Sequence, residues 1–283
     1  MRAIAVFPTA REVKLIDVEE PRITQPTEVK LRMLDVGICG TDKEICSFQY
    51  GAPPAGSEYL ILGHESLGKV VEVGPEVHDI AVGDLVVTMV RRACPHAACH
   101  PCRANRPDFC ATGDFTERGI KERHGFMAEY VVDEARYMHV VPARLRAAAV
   151  LTEPLTIAEK AFAQAVYIER RMPWLAAITP QSPERSELTA AILGAGAVGL
   201  LGAMALRAMG TIHLFLGVES ASAERLAYLG RTHVPHQNVS ALAACRAASI
   251  VPSFNFMLFD PDSSDGDSGS SRSASTRRAC ASS

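Results

Sequence analysis

Gly37-Ile38-Cys39-Gly40-Thr41-Asp42, read together with Gly63-His64-Glu65, decides the fold and the chemistry of this chain. Cys39 offers a thiolate, His64 an imidazole nitrogen and Glu65 a carboxylate. Three protein ligands of mixed S, N and O type with one place left open are what a catalytic zinc requires. Alone, each is an ordinary residue: a buried cysteine, or a surface His-Glu pair. Together, with Gly40 beside Cys39 and Gly63 beside the His64-Glu65 pair, they predict a metal centre. Working outward, Glu28–Leu34, Lys69–Gly74 and Leu85–Val90 alternate or run apolar over strand lengths, and Gly83-Asp84 sets a turn before the last of them. Residues 1 to about 150 therefore read as a β-rich domain of barrel-like or Greek-key type.

A second metal signal lies inside that domain. Cys94, Cys99, Cys102 and Cys110 place four sulfurs within seventeen residues, with a C-x2-C knuckle at 99 and 102. Four thiolates close a tetrahedral site with no open position, which is a structural zinc pinning a lobe too polar to hold itself. The first spacing, C-x4-C, is longer than the usual knuckle, so either Cys94 or His96 can supply the first ligand. His100 reads as a bystander.

Further on, Ile157–Arg171 has helical periodicity with Ala161, Ala165 and Ile168 on one side, and Thr179–Ser186 is a polar, Pro-rich crossing between domains. Ala190–Leu193 then leads into Gly194-Ala-Gly196-Ala197-Val198-Gly199, and Leu200–Met209 is a good helix former. G-x-G-x-x-G between a strand and a helix is a dinucleotide fingerprint, with phosphates on the helix N-terminus. Thr211–Gly217 reads as the next strand, and Glu219, twenty residues past Gly199, stands where an acid grips the adenine ribose and leans the site toward NAD.

Composition narrows the partners. With 283 residues, 48% hydrophobic, the chain can form two moderate cores. A net charge of -3 supplies no basic field for nucleic acid or anionic membrane. The apolar run Ala190–Leu206 holds four glycines, which suits strand, turn and helix better than a membrane span. Pro8 interrupts the N-terminal apolar stretch before a signal core forms, so a cytoplasmic protein is expected, with its eight cysteines reduced and available to metal.

Cys39-Gly-Thr-Asp42, Gly63-His64-Glu65, the 94–110 cysteines, Thr116-Glu117-Arg118-Gly119-Ile120, His124-Gly125-Phe126-Met127 and Glu153-Pro154-Leu155 together resemble the zinc-containing medium-chain alcohol dehydrogenases, in their glucose dehydrogenase branch. The resemblance implies a GroES-like zinc catalytic domain over residues 1–158, with a structural-zinc lobe at 91–112, then a partial Rossmann NAD(P)-binding domain over 159–259. It implies two zinc ions per chain. One is held by Cys39, His64 and Glu65, with Glu153 contacting the metal, its water or the sugar. Thr41 and Asp42 would lie beside the reacting hydroxyl, and Glu117 would bind the sugar. The implied reaction oxidises the C1 hydroxyl of an aldose such as D-glucose to a lactone with NAD(P)+, in a homo-oligomer.

The resemblance runs to about residue 258 and stops, and residues 260–283 are Ser, Asp, Gly and Arg without apolar periodicity, so a disordered tail on a truncated product is expected. Two other readings stand beside the aldose dehydrogenase. One is a non-catalytic zinc protein keeping half a dinucleotide site, and the other is a zinc dehydrogenase of another polyol or alcohol.

Overall fold

The computed structural model of the chain describes residues 1–169, 171, 192, 196–208, 213–219, 223–228, 235–247 and 251–256. It forms two compact units, Met1–Glu153 and Pro154 onward.

The first unit is built on antiparallel strands. β1 (Arg2–Phe7), β2 (Glu12–Asp17) and, further on, β4 (Leu60–Ile61) make a three-stranded sheet in the order β2-β1-β4. β3 (Glu28–Gly37), β5 (Glu65–Val73), β6 (Leu85–Thr88), β10 (Tyr130–Glu134) and β11 (Met138–Val140) make a five-stranded sheet in the order β10-β3-β5-β6-β11. Alternation along β3 buries Val29 and Leu31 while Arg32 is exposed, and these two meet Val70, Val86 and Met138 in the main core. A small third sheet, β7 (Arg91–Arg92), β8 (Thr116–Arg118) and β9 (Glu122–Arg123), flanks the cysteine lobe with its short helix α2 (His100–Arg103).

Helix α1 (Gly40–Cys46) follows β3 directly. Its Ile45 packs with Val6, Leu60, Leu62 and Ile120, so one apolar cluster ties the helix behind Cys39 to the segment that leads into His64.

The division between units falls inside α3 (Thr152–Glu169). The helix starts five residues before the expected Ile157, because Pro154 sits in its first turn, where a missing N–H costs nothing. Its buried side also differs from the expectation: Ala161, Ala165 and Ile168 are exposed, while Ala158 is buried and Phe162 and Val166 are half-buried at i, i+4 and i+8.

In the second unit, α4 (Ala197–Ala208) buries Leu201, Ala203 and Leu206. Gly202 approaches Ala158 and Phe162 so closely that a Cβ there would reach van der Waals contact with both. β12 (His213–Glu219), α5 (Ala223–Tyr228), α6 (Pro235–Ala247) and β13 (Val251–Phe256) follow, and the two strands pair in parallel. A parallel pair joined through helices is the crossover unit of a doubly wound sheet, as the dinucleotide reading requires. β13 includes Pro252, which its ladder with β12 tolerates. The expected crossing at 179–186, the strand at 190–193 apart from Ile192, and the tail at 260–283 lie outside the described residues. Among the described residues no helix is long and apolar enough to cross a membrane.

Candidate metal and sugar site

The end of β3 and the start of β5 lie side by side, with Gly37 opposite Glu65. That register delivers Cys39, two residues past β3, next to His64 and Glu65. Gly37 is required at this contact, since a Cβ on it would lie 2.0 Å from Glu65 Oε2. Behind His64, three glycines pack backbone on backbone. Gly63 adopts φ +91°, and a Cβ on Gly119 or Gly125 would fall 2.3 Å from the Gly63 carbonyl oxygen. The Gly125, Met127 and Phe126 N–H groups donate to the carbonyls of Ile61, Leu62 and Gly63, which clamps the segment just before His64.

Cys39 caps α1. Its Sγ accepts from the Thr41 N–H at 3.3 Å, and its own N–H donates to Asp42 Oδ2 at 2.9 Å. His64 is buried, with Nε2 3.1 Å from Cys39 Sγ and Nδ1 3.6 Å from Asp42 Oδ1. Asp42 is 2% exposed, so it stands behind His64 and not beside a substrate hydroxyl as the resemblance implied. In that place a carboxylate orients the imidazole, which is the usual arrangement behind a metal-ligating histidine.

The donor set fits zinc. The ligand atoms of Cys39, His64 and Glu65 all lie within 4.8 Å of one another. A tetrahedral ion with S and N ligands holds them about 3.5 Å apart, so the 3.1 Å Cys39–His64 spacing need only widen slightly to admit it. The buried His64 Nδ1 and Asp42 Oδ1 face each other at 3.6 Å, too far for a hydrogen bond, and neither has a hydrogen-bond partner among the described residues. Glu153 lies outside this three-ligand set but faces it. Burial, Glu65, Asp42 and Glu117 push its carboxyl up to about 7. Burial also raises Glu65, against the attraction of His64.

Cys94, Cys99, Cys102 and Cys110 form the other cluster. Cys99 and Cys110 sulfurs are 3.9 Å apart, close to the roughly 3.8 Å separating two thiolates on a tetrahedral zinc. The Thr112 hydroxyl beside Cys110 holds that thiol down to about 6. His96 pairs instead with Asp114, so of the two candidates for first ligand it is Cys94 that joins the other three sulfurs.

Glu117 on β8 is nearly buried and is gripped by Arg91 of β7, a residue that the sequence reading did not single out. On the other face of the same ribbon, Arg92 and Arg118 converge on buried Asp133 at 2.5 and 2.9 Å. These partners are 26, 41 and 15 residues apart, and adjacent basic residues ahead of Cys94 were the one available hint.

In the second unit Gly196 is exposed at the start of α4, and a Cβ on it would meet nothing within 4 Å among the described residues. Ala197 and Val198 are exposed and Gly199 half-buried in the first turn. Glu219 ends β12, the strand terminus where a ribose-binding acid belongs. Gly194 lies outside the described residues.

A GroES-like unit carrying a Cys-His-Glu centre and a four-cysteine lobe, followed by a parallel crossover unit with a glycine-opened helix, defines a class. The chain carries an alcohol dehydrogenase GroES-like domain and is similar over a longer span to glucose dehydrogenases. Residues 25–143 match the alcohol dehydrogenase GroES-like domain. The chain is similar to glucose 1-dehydrogenase of Methanocella arvoryzae, 46% identical over 74% of this chain and 55% of the relative. It is also similar to glucose 1-dehydrogenase 2 of Vulcanisaeta moutnovskia, 40% identical over 83% and 63%. In structure it resembles Haloferax mediterranei glucose dehydrogenase in complex with NADP, Zn and gluconolactone, with TM-score 0.65 and 26% identity over 90% and 64% of the two chains. The chain thus spans little more than half the length of the curated relatives it matches.

Proposed function

We propose that this chain carries the catalytic centre of a zinc-dependent NAD(P)+ oxidoreductase that converts the C1 hydroxyl of an aldose such as D-glucose to the lactone. The observation that carries the reading is the Cys39-His64-Glu65 donor set with a further carboxylate, Glu153, close enough to feel Glu65 and Asp42, and with Glu117 near Glu153 in turn. Cys39, His64 and Glu65 would hold the catalytic ion, and Cys94, Cys99, Cys102 and Cys110 a second, structural one. When bound, the catalytic zinc supplies a Lewis acid that makes a hydroxyl more acidic, and NAD(P)+ supplies a hydride acceptor.

The chain's own residues do the rest. Asp42, with Oδ1 3.6 Å from Nδ1, is placed to orient the His64 ring, and the three stacked glycines hold the backbone just before it. Thr41, beside Cys39, is left as the hydroxyl that can relay the departing proton, since Asp42 is committed to Cys39 and His64. Glu117 and Glu153 suit a polyhydroxylated substrate, because a carboxylate accepts from neighbouring hydroxyls. Gly196, Ala197, Val198 and Gly199, with Gly194 ahead of them, would cradle the pyrophosphate and Glu219 the ribose. The charge of Glu219 favours NAD, whereas the Haloferax relative was crystallised with NADP. The reading extends to a cytoplasmic setting and to a homo-oligomer.

The test is nicotinamide reduction by the zinc-loaded chain with a panel of aldoses, polyols and simple alcohols, alongside sugar binding by calorimetry. Aldoses are expected to bind and to be the oxidised class. Turnover of a simple alcohol without any aldose binding would overturn the assignment.

A further inference from the structure

We propose that Arg91 is the positioning residue that sets the sugar selectivity of this site, acting through Glu117 and braced by the cysteine lobe. The inference rests on the aldose reading above. Arg91 and Glu117 are direct cross-strand partners on β7 and β8. Arg91 Nε and Nη2 both donate to the same oxygen, Glu117 Oε1, at 2.9 and 2.7 Å, which leaves Oε2 outside the fork. A nearly buried carboxylate needs a paired charge to stay in place, and a guanidinium fork supplies charge and direction together.

Alternation along the two strands turns Arg92 and Arg118 to the opposite face, where Asp133 pins both. The ribbon is therefore fixed from behind and presents Arg91 and Glu117 in front. Arg91 reaches further: Nη1 lies 3.5 Å from Asp108 Oδ1, and the guanidinium sits 4.3 Å from the Phe115 ring. Asp108 lies between Cys102 and Cys110, so one side chain spans from the lobe to the sugar-facing carboxylate.

A chemical consequence follows. Glu117 alone, among Glu65 and Glu153, would attract a cationic amino sugar. Paired with Arg91, it is neutralised and keeps one oxygen to accept from an uncharged hydroxyl. Arg91 thus makes the site selective for neutral aldoses over amino sugars.

The experiment measures binding of glucose and glucosamine to the zinc-loaded chain by calorimetry, with zinc content and melting temperature recorded for each variant. Arg91→Met should weaken glucose about tenfold, as for loss of a charged hydrogen bond, and shift the glucosamine-to-glucose preference toward glucosamine, with zinc content unchanged. Arg91→Lys, which keeps the charge without the fork, should recover part of the loss. In Glu117→Gln, adding Arg91→Met should weaken glucose little further, since Arg91 acts through Glu117. Unchanged selectivity in both Arg91 variants, or losses that multiply in the double variant, would overturn the proposal while leaving the aldose reading intact. If Arg91→Met does not fold, Arg91→Lys decides by the same two readouts. Failure of the unmodified chain to bind either sugar would remove the functional reading, and this proposal with it.

Discussion

At the scale of single residues, the site depends on where side chains are missing. Gly63, Gly119 and Gly125 let three backbone segments meet behind His64, and Gly37 makes room for the Glu65 carboxylate. Gly119 carries a double constraint, with φ +71° and the Gly63 carbonyl 2.3 Å from where a Cβ would stand. Backbone cannot yield as a flexible side chain can. Gly119→Ala is expected to cost about 3 kcal/mol of stability and to lower zinc retention at the Cys39-His64-Glu65 site. Denaturant unfolding and elemental analysis check this together, and a variant as stable and as zinc-loaded as the parent would contradict the packing argument.

At the scale of elements, the β7–β8 ribbon is tied to β10 by a buried ion triad. Burial by itself would raise the Asp133 carboxyl, but Arg118 and Arg92 outweigh it and hold it below the ordinary 3.8. Burial pulls His124 the other way, below its ordinary 6.5, with Arg118 adding repulsion, and its Nδ1 accepts from the Ile61 N–H at 3.2 Å. Both folded-state values are depressed, so the unfolded chain binds more protons and stability rises with pH. The His124 contribution is complete above 6.5 and fades as pH falls below it. The Asp133 contribution is complete above about 4 and is lost at lower pH. Asp133→Asn should cost about 3–5 kcal/mol near neutrality, because Arg92 and Arg118 are left buried without their counter-charge. It should also flatten the lower acid limb while leaving the limb near pH 6 unchanged. Unfolding midpoints measured from about pH 3 to 8 test the pair of limbs; a parent-like lower limb in Asp133→Asn would refute this account.

At the scale of the whole molecule, the two candidate metal sites rest on different supports. The only buried cluster within the lobe, among the described residues, is made of Cys94, Cys99 and Cys102 themselves, with Cys110 against them. A metal held by these sulfurs would replace a hydrophobic core there. By contrast the Cys39-His64-Glu65 centre is backed by the apolar cluster of Val6, Ile45, Leu60, Leu62 and Ile120, a hydrophobic core of its own. Metal-replete protein should therefore carry two zinc ions per chain. Cys102→Ser should lose one with the order of the lobe, and His64→Ala should lose the other with little change in melting temperature. Elemental analysis beside amide exchange of residues 94–110 measures both, and a parent without zinc would sink the organising claim.

Much of this was legible in the chain because it is local. Cys39, His64 and Glu65 beside their glycines, and the four cysteines at short spacing, announce metal by ligand chemistry alone. Apolar alternation along β3 and β5, and G-x-G-x-x-G ahead of a helix-forming run, set the two architectures by period and backbone freedom. What the tertiary structure decided was pairing across distance. Glu117 was recognised, but its tether to Arg91 arises only when two strands 26 residues apart come into register. Asp42 was placed beside the substrate by its neighbours in sequence, whereas the α1 cap turns it inward behind His64. The buried side of α3 follows the same rule, since periodicity fixes the spacing of a helical stripe and only the packing partner selects which stripe is covered.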